Sequence, residues 1–239
     1  MAEIKVNALM LRAVDYQEND KILTLLSAER GRITAGIKGV KKANAKLKFA
    51  AQPFCFAEYI LAERGGRYTV TQASECESFY ELRTDVDKYY AACAVCEAAI
   101  NLTAEGDGGG EIFSLCVKAL RDMCVSDQKM ALISFLLGAL KACGYGISVS
   151  AFCPACGNRI DTAEKLRFDL RSGSFSCWDC STFAGVGAET FKALLIAEGK
   201  RVGSADEEGK KRALKLLREY MVHKLDARLN CLTEYINLP

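Results

Sequence analysis

The chain contains one histidine, His223, and that scarcity closes off several routes to catalysis. A Cys–His nucleophile pair needs an imidazole with an orienting partner, and a single histidine inside a helical stretch has no nameable one. No Gly-x-x-x-x-Gly-Lys-Ser/Thr phosphate loop and no Gly-x-Gly-x-x-Gly turn after a strand is present, so nucleotide hydrolysis and dinucleotide chemistry have no seat. Acidic residues are scattered and lack the clustered spacing with which a two-metal nuclease holds its ions. No catalytic residue is expected. Long apolar runs are missing too: Met130 to Leu140 is bounded by Lys129 and Lys141 and is too short to cross a bilayer. Charges at Glu3 and Lys5 interrupt the opening too early for a secretory signal. A cytoplasmic protein with no membrane partner is the expectation, in which the 12 cysteines either pack as small hydrophobes or bind metal.

What is present bounds the architecture. At 239 residues, half of them hydrophobic, the chain holds one large or two ordinary domains with sizeable cores. The net charge of +2 hides an imbalance, because the basic residues are concentrated near the N-terminus. From Arg30 through Ala57 there is no carboxylate at all, while Arg32, Lys38, Lys41, Lys42, Lys46 and Lys48 follow one another. A polyanion would be drawn to such a segment, although a solvated turn has the same composition.

Alternation and turn residues predict five short strands over 5–12, 21–27, 32–38, 53–61 and 67–73. Five strands with a long basic connection after the third suit an OB-type barrel, with a small open sheet or an SH3-like barrel as rivals. The third strand is expected to feed a flexible, cationic loop without aromatics. The candidate nucleic-acid-binding set is Arg12, Arg30, Arg32, Lys38, Lys41, Lys42, Lys46, Lys48, Arg64 and Arg67.

Beyond Thr84 the period becomes helical. Thr84 or Asp85 can cap a helix running to about Ala104, Gly106 to Gly110 breaks it, and further helices follow over 111–124 and from Asp127 to Gly144. The Cys93-x-x-Cys96 pair within the first helix reads as core packing. Cys153-Pro-Ala-Cys156 and Cys177-Trp-Asp-Cys180 form two knuckles whose four thiolates suit one structural Zn2+ per chain, with the strands of a zinc ribbon at 165–170 and 173–176. Ser204-Ala-Asp-Glu207 has the capping-box pattern and opens a long helix whose stripe runs from Leu214 to Ile236, flanked by Lys211, Lys215 and Arg218. Those cations beside an apolar stripe could receive an acidic peptide ending in a hydrophobic residue.

Several features in their order resemble the RecO family of bacterial recombination mediators. These are Ala8-Leu-Met-Leu-Arg12, Asp15 through Leu26, Gly31-Arg32-Ile, Lys38-Gly39-Val-Lys-Lys42, Gln52-Pro53-Phe54, Glu77 through Arg83 and the four-cysteine ribbon. The resemblance implies an α+β chain: an OB domain over 1–79, then a helical domain over 80–239 with the zinc ribbon inserted at about 152–182. It further implies binding of single- and double-stranded DNA, annealing of complementary strands without ATP, and nucleoid association. The partners implied are RecR, the C-terminal tail of single-strand-binding protein and, indirectly, RecA, which the family helps load onto coated strands. An adaptor gripping an acidic partner, or an RNA-binding protein without annealing activity, would carry a similar barrel and ribbon.

Overall fold

The structure is a computed structural model that describes residues 2–106 and 109–238. Strands β1 (Ala2–Tyr16), β2 (Asp20–Ser27), β3 (Gly31–Ile37), β4 (Phe56–Arg64) and β5 (Arg67–Glu77) close into a barrel in the order β1-β2-β3-β5-β4. All neighbours are antiparallel except β3 and β5, which run parallel. The long first strand makes closure possible. Its Ala2–Leu9 half pairs with β4 and its Ala8–Tyr16 half with β2, and a bulge between Met10 and Arg12 lets it turn the corner. This is the OB arrangement, and it excludes both the open sheet and the SH3-like barrel.

Alternate residues fill the interior, among them Val6, Leu23, Leu25, Ile37 and Leu61. Tyr59 is fully buried there, and its hydroxyl donates to the Ala50 carbonyl at 2.9 Å. β4 begins three residues later than the sequence pattern suggests, because Phe54, next to Pro53, takes a left-handed backbone (φ 67) inside a turn. Gly65 and Gly66, both at positive φ, form the tight turn that joins β4 to β5.

The basic connection differs from the expected flexible loop. Residues 38–55 form consecutive turns and one 3-10 turn (Phe49–Ala51) that closes one end of the barrel. Val40, Ala50, Ala51 and Cys55 are buried there, and Phe49 packs against the barrel core. Apolar residues between the lysines anchor the segment.

The helical part comprises α1 (Glu81–Thr84), α2 (Val86–Leu102), α3 (Gly110–Val125), α4 (Gln128–Ala142), α5 (Ala188–Ala197), α6 (Glu207–Leu225) and α7 (Asn230–Asn237). Asp85 caps α2 and Asp127 caps α4, as their positions predict. Cys96 is buried in the helical core, and burial pushes the half-buried Cys93 thiol up to about 11, so this pair packs as small hydrophobes. Of the expected break at 106–110, Asp107 and Gly108 lie outside the described residues.

The C-terminal stripe is not one helix. Asp206, not Ser204, caps α6 by accepting from the Gly209 amide, and Asp226 in the left-handed region (φ 49) ends it before α7 begins. The ribbon has a third strand that sequence patterning missed. β6 (Lys165–Asp169) lies between β7 (Ser174–Cys177) and β8 (Ala184–Gly187).

Barrel and helices share a core, since Leu9, Leu11, Leu26 and Phe54 join the helical cluster and Phe56 meets Phe113 edge to face at 5.4 Å. Space is tight where α3 meets the β2–β3 turn. A Cβ on Gly109 would lie 3.0 Å from both the Gly31 Cα and a Leu26 methyl.

Candidate nucleic-acid interface and metal centre

The register of β1, β2, β3 and β5 decides which side chains leave the barrel together. Ala13, Leu23 and Ala35 point inward on one rung, so the rungs on either side point outward. One outward rung is Arg12–Thr24–Thr34, and the next is Val14–Ile22–Gly36–Thr69. Tyr16 follows Val14 on the same face. Gly36 has no side chain, and its place on the sheet forms part of a cleft of about 950 Å³. Tyr16, Ile22, Arg30, Lys38, Arg67 and Glu105 are among the residues lining it. A smaller hollow of about 450 Å³ also takes in Gln17, Asp20 and Lys38, and Gly39 and Lys42 line it as well.

Cations and acids in the cleft are not equivalent. Asp20 accepts from the Gly39 amide at 2.7 Å, and Glu105 accepts from the Thr34 hydroxyl at 2.6 Å. Glu29 accepts from Ser27 and Asn7. Burial opposes its ionisation, yet those hydrogen bonds outweigh the penalty and hold its carboxyl below the usual range. By contrast, Arg30, Lys38 and Arg67 have no carboxylate partner among the described residues. The acids keep their charge but are held by donors of the protein itself, and Arg30, Lys38 and Arg67 remain available.

The expected basic set therefore divides. Arg30, Arg32, Lys38 and Arg67 line the cleft, Lys42 lines the adjoining hollow, and the β1–β2 register puts Arg12 on the same outward face. Lys46, Lys48 and Arg64 are exposed but line neither hollow. Two members are engaged by the protein itself. Arg32 donates from Nη1 to the Ile100 carbonyl at 2.5 Å, and Lys41 pairs with Asp15 at 2.8 Å. The stretch free of acids in sequence thus meets an acid in space.

Tyr16 and Val14 were absent from the expected set, and they are half exposed, at 50% and 45%. Ending the first strand at Arg12 left both outside it. The continued alternation Arg12, Val14, Tyr16 was the signal that could have found them.

At the far end of the helical part, the Sγ atoms of Cys153, Cys156, Cys177 and Cys180 all lie within 4.8 Å of one another. Tetrahedral ligation at about 2.3 Å requires sulfur–sulfur separations of roughly 3.8 Å, and Cys156 and Cys177 stand 3.7 Å apart. The Cys177 amide donates to the Cys153 sulfur at 3.4 Å. Burial disfavours the Cys153 thiolate, but amides of Cys177, Cys156 and Ala155 outweigh it and bring its pKa down to about 6. Four sulfur donors closing on one point, one of them readily ionised, fit a metal ion with no open coordination position.

Lys211, Lys215 and Arg218 do not border an open groove as a group. Lys211 donates to the Leu238 carbonyl and Arg218 to the Thr233 hydroxyl, so α7 and the residues after it occupy that side, and only Lys215 is exposed. Among the described residues no helix is long and apolar enough to cross a membrane.

A closed five-stranded OB barrel with a cleft of free cations, joined to a helical module bearing a four-cysteine ribbon, defines an α+β class of OB protein. Residues 1–79 match the family model described as Recombination protein O N terminal, and residues 83–232 match Recombination protein O C terminal. The chain is 31% identical over 242 residues to the DNA repair protein RecO of Desulforamulus reducens, covering 98% of this chain and 93% of the relative. It is 32% identical over 234 residues to the DNA repair protein RecO of Pelotomaculum thermopropionicum, covering 94% and 90%. With that of Anaeromyxobacter dehalogenans it shares 30% over 241 residues, covering 96% and 94%. The chain belongs to the RecO family, a family named for DNA repair and recombination.

Proposed function

We propose that this protein is a recombination mediator that binds single- and double-stranded DNA on the outward face of β1, β2, β3 and β5. The observation that carries this reading is the cleft in which Arg30, Lys38 and Arg67 lack carboxylate partners while Asp20, Glu29 and Glu105 have internal donors. Arg12 and Lys42 extend the track, with Lys46, Lys48 and Arg64 as outer contacts that add attraction without a fixed position. Phosphate neutralisation by these groups releases counterions and supplies affinity independent of sequence. Two complementary strands brought to one cationic surface repel each other less and meet at high local concentration, so annealing proceeds without ATP.

In this reading, residues 1–79 form the DNA-binding unit and 80–239 the helical unit, with the ribbon at about 152–182. The four cysteines hold one structural Zn2+, whose chemistry is to cross-link the ribbon. The protein acts in the cytoplasm at the nucleoid, with RecR and the tail of single-strand-binding protein as partners, and helps load RecA onto coated strands. The test is binding of single-stranded oligonucleotides across a range of salt, followed by annealing of strands coated with single-strand-binding protein in the absence of ATP. Affinity that rises steeply as salt falls, together with annealing, supports the proposal. Negligible affinity at low salt sinks it and favours a protein-binding adaptor.

A further inference from the structure

The ribbon carries an aromatic surface that its metal-binding role does not require. Leu166 and Phe168 of β6 face the core, so Lys165 and Arg167 project to the other side of the three-stranded sheet. Arg167 shares its rung with Ser176 of β7 and Gly185 of β8. The Trp178 ring covers this rung. The Arg167 guanidinium sits 3.3 Å from the ring centroid, and a Cβ on Gly185 would come within 3.2 Å of the indole. The Arg167 Nη1 donates to the Phe183 carbonyl at 2.9 Å, which fixes the guanidinium beneath the ring, and Lys165 approaches the same ring at 5.8 Å.

One face of the indole is therefore supported by a cation, and 41% of the residue is exposed. Phe183, 47% exposed, stands at the entry to β8. Lys165 and Arg167 pair with no carboxylate among the described residues, while Glu164 and Asp179 are exposed nearby. The local field is consequently weak, and the surface offers stacking area more than charge.

We propose that Trp178 and Phe183, with Lys165 at their edge, form a second contact for single-stranded nucleic acid, on which unpaired bases stack. The proposal rests on the reading of this protein as a DNA binder. It adds a site remote from the barrel whose contribution depends little on salt, because stacking on an aromatic ring works on every base and neutralises no phosphate. A duplex, whose bases are already stacked, gains nothing there. The ribbon then favours single strands over double strands, whereas the barrel's cations serve both.

Trp178 is the sole tryptophan, so its fluorescence reports on this surface alone. The experiment titrates the full-length zinc-loaded protein with an oligo-dT of about 30 nucleotides, longer than the roughly 4–16 that one OB barrel covers. A label on the DNA reports binding by anisotropy while tryptophan emission is recorded. Saturable binding accompanied by strong quenching, about a tenfold loss of single-strand affinity in Trp178→Ala and a weaker loss in Phe183→Ala, supports the site. Trp178→Phe retains a ring and should recover most of the affinity, and none of these variants should alter duplex binding. Saturable binding with unchanged emission overturns the ribbon contact and leaves the barrel reading intact. Absence of any binding at low salt removes the parent reading as well. Quenching by an acidic peptide, with none by oligo-dT, overturns the proposal and assigns the surface to a protein tail.

Discussion

Lys41 Nζ lies 2.8 Å from an Asp15 carboxylate oxygen, and Lys21 approaches the other oxygen of that carboxylate at 3.7 Å. The hydrogen bond from Lys41 is the main reason that the Asp15 carboxyl is held below its usual range. Lys42, one residue along, has no such partner among the described residues and lines a hollow with Lys38. Two adjacent lysines of identical chemistry therefore present different charge to DNA. Lys42→Ala is expected to flatten the salt dependence of oligonucleotide binding by about one unit, and Lys41→Ala by clearly less. Asp15→Asn releases Lys41 and should strengthen binding and steepen the slope. Equal slopes for the two alanine variants, or an unaltered affinity in Asp15→Asn, would sink this division.

Arg32 belongs to the same basic run, yet its guanidinium reaches across to the Ile100 carbonyl near the end of α2. Its own amide bonds the Ala104 carbonyl at 3.4 Å. Arg32 thus ties β3 to the helical part. Arg32→Ala removes a charge-assisted hydrogen bond at a half-buried position and should cost about 2 kcal/mol of stability. In a protein of this length that corresponds to a fall of roughly 5 °C in Tm. The change in salt slope should stay smaller than for Lys42→Ala. A stable variant that had lost DNA binding would return Arg32 to the DNA contacts.

Tyr16 stands on the outward face beside Val14 and the Ile22–Gly36 rung, where an unpaired base can stack. Tyr16→Ala is expected to weaken single-strand binding by about 1–3 kcal/mol while leaving the salt slope unchanged. Parallel titrations at two or more salt concentrations separate this from the loss of a cation, which alters both. A Tyr16→Ala variant with native affinity would leave the barrel with phosphate contacts alone.

The barrel was legible because strand alternation and Gly or Asp turns are local signals. The four ribbon cysteines were legible because the spacing of two knuckles is itself the motif. What escaped the sequence depends on register and on distant contacts. Reading β1 as ending at Arg12 hid Val14 and Tyr16, because the bulge after Met10 lets the strand continue past the point where its simple alternation fails. The Lys41–Asp15 and Arg32–Ile100 contacts join residues 26 and 68 positions apart, which no window along the chain can bring together. A continuous apolar stripe suggested one C-terminal helix. Asp226 turns the chain through a left-handed residue while leaving that stripe buried on both α6 and α7.

Lys210 is almost fully buried, and its ammonium bridges Asp127 at the cap of α4 and Glu207 in the first turn of α6. Hydrogen bonds from Lys129 and then Lys210 hold the Glu207 carboxyl below its ordinary 4.5. A carboxyl that gives up its proton more easily when folded stabilises the fold fully above pH 4.5. That contribution disappears as pH falls through the lower folded value. Thermal melts should therefore show stability declining below pH 4.5. Lys210→Met should cost about 1–2 kcal/mol at neutral pH by leaving Asp127 without its ammonium and Glu207 with Lys129 alone, and it should partly flatten the acid decline. A decline as steep as in the native protein would mean that other carboxylates govern it.

Metal removal should separate the two halves of the molecule. Phe168 and Phe175 of the ribbon pack with tilted rings at 4.7 Å and reach Tyr220 of α6 and Phe191 of α5, so the ribbon strands are part of the helical core. Cys156→Ser takes one sulfur from the cluster. Metal analysis should find about one zinc per native chain and markedly less in the variant. Loss of the ion should lower the Tm of the helical part by roughly 10 °C, since binding of a structural zinc is folding free energy. The barrel's own core draws no residue from the ribbon, so the salt slope of duplex DNA binding should persist at temperatures below the new transition. Native zinc content in Cys156→Ser would exclude this cysteine as a ligand, and an unchanged melting profile on chelation would exclude the ion as a support of the fold.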